Sequence, residues 1–572
     1  MNKYLKIFVV CAMSLTLCSC QREKNVAVVK GYQGDIKIQV DFEGNTIKSI
    51  EILESSETKE VGLQAIQQMI ASIIEQQSLD VDIIAGATES CNALLTGMQS
   101  ILSKSRITLE NQKNTPADAN ETKNQYLYDV VVIGGGGAGL TAAISSAMEG
   151  KNVALVEKTE AIGGDTLIST AMYNCVDPDL QKKYGIEDSE ELFFEETYNG
   201  GHQKAKEELV RILTSQADEG LQFLKDLGLE FKPIIDNCLG GQQARGHFSK
   251  AGNGTDYIQV LSDACEKYGV DIFLNTKAQA FITEDKQVVG VETIHHGENV
   301  DYYANNVILA TGGFGYNVEM RMKYDQNLTG DMLCSNASSS MGDGIVMAEE
   351  INASLINMEY IELYPMADVY DGGLHNSIPN VINKGILVNK QGNRFIAEDS
   401  SRDALANEIQ AQEDGFVYSI VDDDYSRDNE EKEFLEGLIM MGHVVKADSI
   451  EELAEKLDMD SFILQQTIQK YNLAVDTQSD TQFHRFTLEN RIDHPPFYAN
   501  AKTVTVHQTL GGVEINEKAQ VLNMAGNQIE NLYAAGEVTG GVHGNNRLGT
   551  LSIPDTVTFG RIAAQTCWKE NH

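Results

Sequence analysis

The stretch Tyr128 to Glu157, YDVVVIGGGGAGLTAAISSAMEGKNVALVE, constrains the fold more than any other part of the chain. Asp129 to Ile133 is a short apolar run of strand type. Gly134, Gly136 and Gly139 supply a G-x-G-x-x-G turn, Leu140 to Met148 reads as a helix, and Asn152 to Val156 as a second strand ending at Glu157. The glycines let backbone approach a pyrophosphate, and the helix N-terminus offers oriented N–H donors with a partial positive charge. Glu157 lies 23 residues beyond Gly134, where a carboxylate accepts hydrogen bonds from a ribose. A lone glycine fingerprint is weak. Here strand, turn, helix, second strand and acid all stand in order, which defines a dinucleotide-binding βαβ unit.

At 572 residues the chain is long enough for two or three domains. Its 84 acidic against 44 basic residues give a net charge of −40. That argues against a nucleic-acid partner, because phosphate binding needs a basic face. The acidity is spread along the chain and reads as a solvated surface. The N-terminus has a targeting pattern: Lys3 and Lys6, then an apolar run from Ile7 to Leu17 that is too short to span a bilayer. Beyond the signal region six cysteines are scattered without a C-x-x-C pair, so no haem, zinc or iron–sulfur spacing is present and free thiols are expected.

The chain divides into a signal segment (1–19), a tether (20–30), a small α+β unit (31–106), a polar linker (107–126) and one large α/β unit (127–572). In the small unit Asp35 to Phe42 and Ile47 to Leu53 alternate like a hairpin, and Leu63 to Gln76 and Ser90 to Leu102 have helical periodicity. In the large unit Asn306 to Gly313 and Asn531 to Gly540 are further buried strands running into glycine turns. Such turns in a chain opening with this fingerprint are typical of FAD-binding folds. The segment from about 360 to 505 is then an inserted α+β domain capping the substrate. The fold class expected is α/β: a Rossmann-like FAD-binding fold with a capping insertion, plus a small N-terminal domain.

The ending Leu17-Cys18-Ser19-Cys20 resembles a bacterial lipoprotein signal, which implies cleavage before Cys20 and lipidation of its thiol. Two or more acyl chains suffice for stable anchoring at the cell membrane. Residues 31–106 resemble the FMN-binding domain of respiratory flavoproteins. Asp82, Gly86, Ala87 and Thr88 fit the motif on which a flavin transferase esterifies FMN, with Ala85 in place of the usual hydroxyl residue. The resemblance implies covalent FMN on Thr88; read from the residues alone, Thr88 could equally cap the helix that follows.

Four stretches of the large unit, TEAIGGDTLIS (159–169), MEYIELYP (358–365), GNRFIAEDSSRD (392–403) and HQTLGG through NNRLG (507–549), resemble the flavin-dependent fumarate and urocanate reductases. The resemblance implies non-covalent FAD held by Gly134, Gly136, Gly139, Glu157, Gly163, Gly164, Gly312, Gly313 and Glu537. It implies Arg402 as the proton donor, His507 and Arg547 on the substrate carboxylate, and Tyr364 beside them. Reducing a C=C conjugated to a carboxylate needs hydride at the β-carbon and a proton at the α-carbon, with cations stabilising the enolate-like charge. Arg547 can grip a carboxylate bidentately.

Three departures bear on substrate. Tyr364 stands where fumarate-reducing members carry His and urocanate-reducing members Tyr. Ser377-Ile378 replaces a Thr-Glu pair of the fumarate reducers, and Glu362 is a candidate substitute in proton supply. The run Arg547 to Ser552 lacks the family's Gly-Asn after Gly549. The expectation is a membrane-anchored extracytoplasmic reductase of an enoate, urocanate- or cinnamate-type, fed by a membrane electron donor through FMN and FAD. The alternatives are a fumarate reductase, another flavoenzyme of the fold such as an amine oxidase or ketosteroid dehydrogenase, and a non-enzymatic FMN electron carrier.

Overall fold

Two units divide the chain, Met1–Thr122 and Lys123–His572. The computed structural model describes residues 25–30, 34–55, 62–79, 81, 88–105, 109, 124–238, 241–374, 377–378, 381–426 and 429–569. The signal segment, Cys20 and residues 82–87 of the flavinylation motif lie outside them.

The N-terminal unit is a three-stranded antiparallel sheet, Val26–Lys30, Asp35–Glu43 and Thr46–Ser55, carrying helices Gly62–Gln76 and Thr88–Ser105. Alternate residues Ile36, Ile38 and Val40 point into a core completed by Ile66, Met69 and Ile73 of one helix and Leu94, Met98 and Ile101 of the other. Those spacings are the periods of a half-buried strand and of amphipathic helices. Gln77 ends the first helix with a left-handed backbone, and its side-chain amide closes on both the N–H and the C=O of Ile47, at 2.6 and 2.9 Å. The segment read as the end of a tether is a strand: Val26–Lys30 pairs with Asp35–Gln39. Its run of valines is β-prone. It forms the edge of the sheet, where one residue in five is buried, so its sequence shows no clean alternation. Thr88 is the first residue of its helix.

In the large unit the fingerprint strand Asn124–Ile133 lies between Glu298–Leu309 and Val153–Val156 in a parallel arrangement extended by Asp271–Phe273 and Gln528–Ala534. The antiparallel strands Thr276–Glu284 and Gln287–His295 continue the sheet on the far side of Glu298–Leu309. The parallel strands are near-continuous runs of Val, Ile and Leu because helices cover both faces; Val130, Val131, Val132, Ile308 and Leu309 are fully buried. Register places Ile133, Val156, Leu309 and Ala534 side by side. Each of these strands therefore runs into its loop at the same edge of the sheet, the carboxyl edge at which open α/β folds bind ligands. The fingerprint helix begins at Gly137, three residues earlier than its apolar run suggests, because the glycine turn itself enters the helix.

The insertion forms a second sheet. The strand Phe497–Thr509 runs through it, flanked by Ile361–Asp368 on one side and by Phe416–Val421 and Val444–Ala447 on the other. Helix Arg402–Gln410 packs on it through Leu405, Ala406 and Ile409.

Candidate active site

Every loop at the carboxyl edge of the parallel sheet opens into one cavity of about 990 Å³, whose other wall is the cap. The fingerprint glycines divide into two kinds. At Gly139 a Cβ would lie 1.9 Å from the Gly134 carbonyl oxygen, and at Gly134 (φ 106°) it would lie 2.3 Å from that of Ala310. Those two glycines hold strand, turn and helix together. At Gly136 a Cβ would meet no protein atom closer than 3.9 Å, so this glycine leaves room on the cavity side for a phosphate-bearing group. Glu157 accepts from Gly135 N at 2.7 Å and Thr159 N at 2.8 Å, which fixes its carboxylate at the cavity wall. Thr311, in the next glycine turn, also lines the cavity. These features fit a dinucleotide such as FAD. Gly312 turns with φ 73°, and Gly163 and Gly164 also have positive φ, with Gly163 bridging to Gly136.

Glu537 lies behind Gly313. Its Oε1 accepts from Thr509 N and Thr509 Oγ1 at 2.9 and 3.0 Å. Burial, with the neighbouring Asp165 carboxylate, pushes its carboxyl well up. Asp165 accepts from Ala337 N and Ser340 Oγ, and burial raises it too. Asp165 is a site residue that sequence reasoning passed over. The Gly-Gly-Asp run was noticed, but nothing local shows that its aspartate faces Glu537.

Arg402, His507, Arg547 and Tyr364, which come from four separated segments, converge on one carboxylate, Glu362. Arg402 Nη1 pairs with Glu362 Oε1, while Arg547 holds Oε2 through Nε at 3.1 Å and Nη2 at 2.9 Å. All three are buried: Glu362 is 3% exposed, Arg402 7% and Arg547 2%. Burial works against the ionised carboxyl, yet the Arg402 and Arg547 guanidinium groups hold it down at about 2. His507 is pulled the other way: burial, with the two guanidinium groups, lowers its imidazole to about 3, so it is neutral. Its Nδ1 lies 2.8 Å from Ser335 Oγ. The Tyr364 ring stands 5.1 Å from the His507 ring and 5.2 Å from the Arg402 guanidinium carbon, centroid distances that suit ring packing and a cation–π contact. Arg402 Nε is buried without a hydrogen-bond partner, a donor left over at the cavity wall.

The local structure explains the placement. Ile361 pairs with Thr509 and Glu362 with Gln508, but Leu363 pairs with Val506, so His507 is the extra residue of a β-bulge. Bulges re-aim side chains beside active sites. Arg402 opens its helix, directly after Ser401, whose hydroxyl donates to the Asp403 carboxylate. The preceding part of its motif is a buried clamp: Arg394 donates to both oxygens of Glu398 at 2.8 and 2.6 Å, Arg485 joins at 3.1 Å, and Asp480 takes the remaining Arg394 donor at 3.1 Å. Arg394 and Glu398 therefore hold the turn, and Arg402 alone of the three reaches the cavity. Arg547 sits in a loop pinned by Asn546 Nδ2 to Gly200 O at 2.9 Å and by His543 to Asp555 at 3.1 Å.

Fold and site together define an FAD-binding oxidoreductase. The family described as an FAD binding domain matches residues 129–553, and that described as an FMN-binding domain matches 31–103. The chain is similar to the urocanate reductase of Eggerthella lenta, 35% identical over 93% of this chain and 90% of that protein. It is 31% identical to the NADH:acrylate oxidoreductase of Vibrio harveyi over 94% of this chain, and it spans 60% of that longer protein. Among solved structures it resembles the open conformation of a flavocytochrome c3 fumarate reductase, with 35% identity, a TM-score of 0.65, and coverage of 77% of this chain and 78% of that one. The chain belongs to the flavin-dependent fumarate and urocanate reductase family.

Proposed function

We propose that this protein reduces the C=C bond of an α,β-unsaturated monocarboxylate with an aromatic or heteroaromatic tail, urocanate- or cinnamate-type. The observation that carries the reading is the charge of the cluster. Arg402 and Arg547 bring two positive charges and Glu362 one negative, while His507 is neutral. The net charge of +1 complements one carboxylate. A dicarboxylate such as fumarate brings a second negative charge toward Glu362.

The glycine turns and Glu157 would hold FAD, which when bound would supply hydride chemistry at the β-carbon. The protein's own groups do the rest. Arg547 and His507 bind and orient the substrate carboxylate and stabilise the negative charge that develops on it. Arg402 delivers the proton to the α-carbon. A guanidinium gives up a proton only where it can be replaced; Glu362, bonded to Arg402, relays a proton taken up from solvent back to the guanidine. The Tyr364 ring fixes the Arg402 guanidinium plane and forms part of the wall that excludes water. Electrons reach the site, in this reading, by way of FMN esterified to Thr88 by a flavin transferase. The donor is a membrane partner, and Cys20 lipidation keeps the protein beside it on the extracytoplasmic face.

The test is an acceptor panel. Anaerobic protein with reduced viologen dye should oxidise the dye on addition of urocanate or cinnamate, and Arg402→Ala should abolish this while retaining FAD. Turnover with fumarate and with neither monocarboxylate would overturn the substrate assignment.

A further inference from the structure

The cavity has a second polar pole, distant from the arginine cluster. Lys502 lies on the long cap strand with no exposed surface, lines the cavity, and donates through Nζ to Ser377 Oγ. Among the described residues no carboxylate forms an ion pair with it. Asp368 is its cross-strand neighbour. The Asp368 carboxylate is turned elsewhere: Oδ2 lies 2.8 Å from His443 Nδ1, and Oδ1 accepts from Tyr370 N at 2.8 Å. Burial pulls the Lys502 ammonium down to about 7 against the opposing field of Asp368. Lysines are almost never fully buried unless paired, and an unpaired one destabilises the fold that holds it. A side chain kept at that cost, on the wall of a substrate cavity, is better explained by a ligand than by packing.

The position of this pole selects the ligand. Lys502 and His507 are five residues apart on one strand, about 16 Å of backbone at ~3.3 Å per residue. Tyr364, Met366 and Ile378 line the cavity as well, and they give it the apolar wall that suits a planar ring. Fumarate carries its two carboxylates on adjacent carbons, a span far shorter than that length of backbone.

We propose that Lys502, positioned by Ser377, binds a hydrogen-bond acceptor or anion at the remote end of a ring-bearing substrate, so that the cavity recognises the enoate at both ends. This rests on the enoate-reductase reading, and the test separates the two. Oxidised holoprotein is titrated calorimetrically with cinnamate, 4-hydroxycinnamate and 4-carboxycinnamate, as wild type, Lys502→Met and Ser377→Ala. Lys502→Met should weaken 4-carboxycinnamate on the order of 10- to 100-fold and 4-hydroxycinnamate by a smaller factor, and leave cinnamate unchanged. Its Tm should equal or exceed that of the wild type, because an uncompensated buried charge is gone; a purely structural lysine would lower it. Ser377→Ala should show the same ligand order with smaller losses, and it decides the matter should Lys502→Met fail to fold. Equal losses for all three ligands, or none, overturn the subsite. Lys502-dependent binding without reduction of any of the three would overturn the reductase reading and leave the subsite standing.

Discussion

Glu362→Gln is the substitution that most directly probes the charge logic of the site. It keeps the shape and one acceptor oxygen but removes the charge that Arg402 and Arg547 share. The cluster then moves from a net +1 to +2. The second carboxylate of a dicarboxylate, about 6 Å from Glu362 at an effective dielectric of about 20, is repelled by about 3 kcal/mol in the wild type. Releasing that repulsion should raise kcat/KM for fumarate relative to cinnamate on the order of 100-fold. Both substrates are assayed with reduced viologen on the same preparation, so loss of folded enzyme cancels from the ratio. The variant will also be less stable by about 3 kcal/mol, because removing one partner leaves buried guanidinium groups unpaired. A ratio unchanged between Glu362→Gln and wild type would refute the argument that Glu362 sets the charge preference.

The remaining predictions concern the cofactor sites and pH. Gly136→Val should fold but purify without FAD, since its side chain enters cavity space, whereas Gly139→Ala should not accumulate as folded protein, its Cβ lying 1.9 Å from a carbonyl oxygen; the FAD released on acid precipitation and a melting curve separate the two. Thr88→Ala should lose a mass increment of one FMN from the intact protein, and retention of that increment would move the attachment elsewhere. Glu362, held at about 2 against an ordinary 4.5, contributes stability in full above about pH 4.5 and loses it as pH falls toward 2. Lys502 runs the other way: its folded value of about 7 lies below the ordinary 10.5, so the unfolded chain binds more protons between them and stability rises with pH across that window. Denaturant titrations at pH 7 and pH 10 should show that rise in the wild type and a smaller one in Lys502→Met.

The dinucleotide turn was legible because its demands are local: a glycine where a Cβ would strike a carbonyl, an acid at the end of the second strand. Arg402, His507 and Arg547 were legible through motifs whose order along the chain matched a known pattern. What they converge on was not. Glu362 stood out as a substitute in proton supply near Tyr364, but its clasp by two arginines depends on a cap strand, a helix start and a loop that lie 40 and 185 residues from it. Lys502 carried no signal, since a lysine in an alternating strand reads as solvent-facing. Val26–Lys30 was misread as tether because an edge strand with little burial lacks the alternation that marks a hairpin. Arg394 and Glu398 belong to the same motif as Arg402, and their mutual bonding shows them to be scaffold.

The extra residue at His507 has a consequence for how such a protein can change over generations. Phe497–Thr509 serves as a ruler with Lys502 at its middle and the imidazole near its C-terminal end, and the irregularity lies between Val506 and Gln508. Loss of a single codon there would swing Val506 or Gln508 into the imidazole's place and switch off chemistry while leaving the sheet intact. New substrates are therefore reached by swapping side chains along the ruler, never by shortening it.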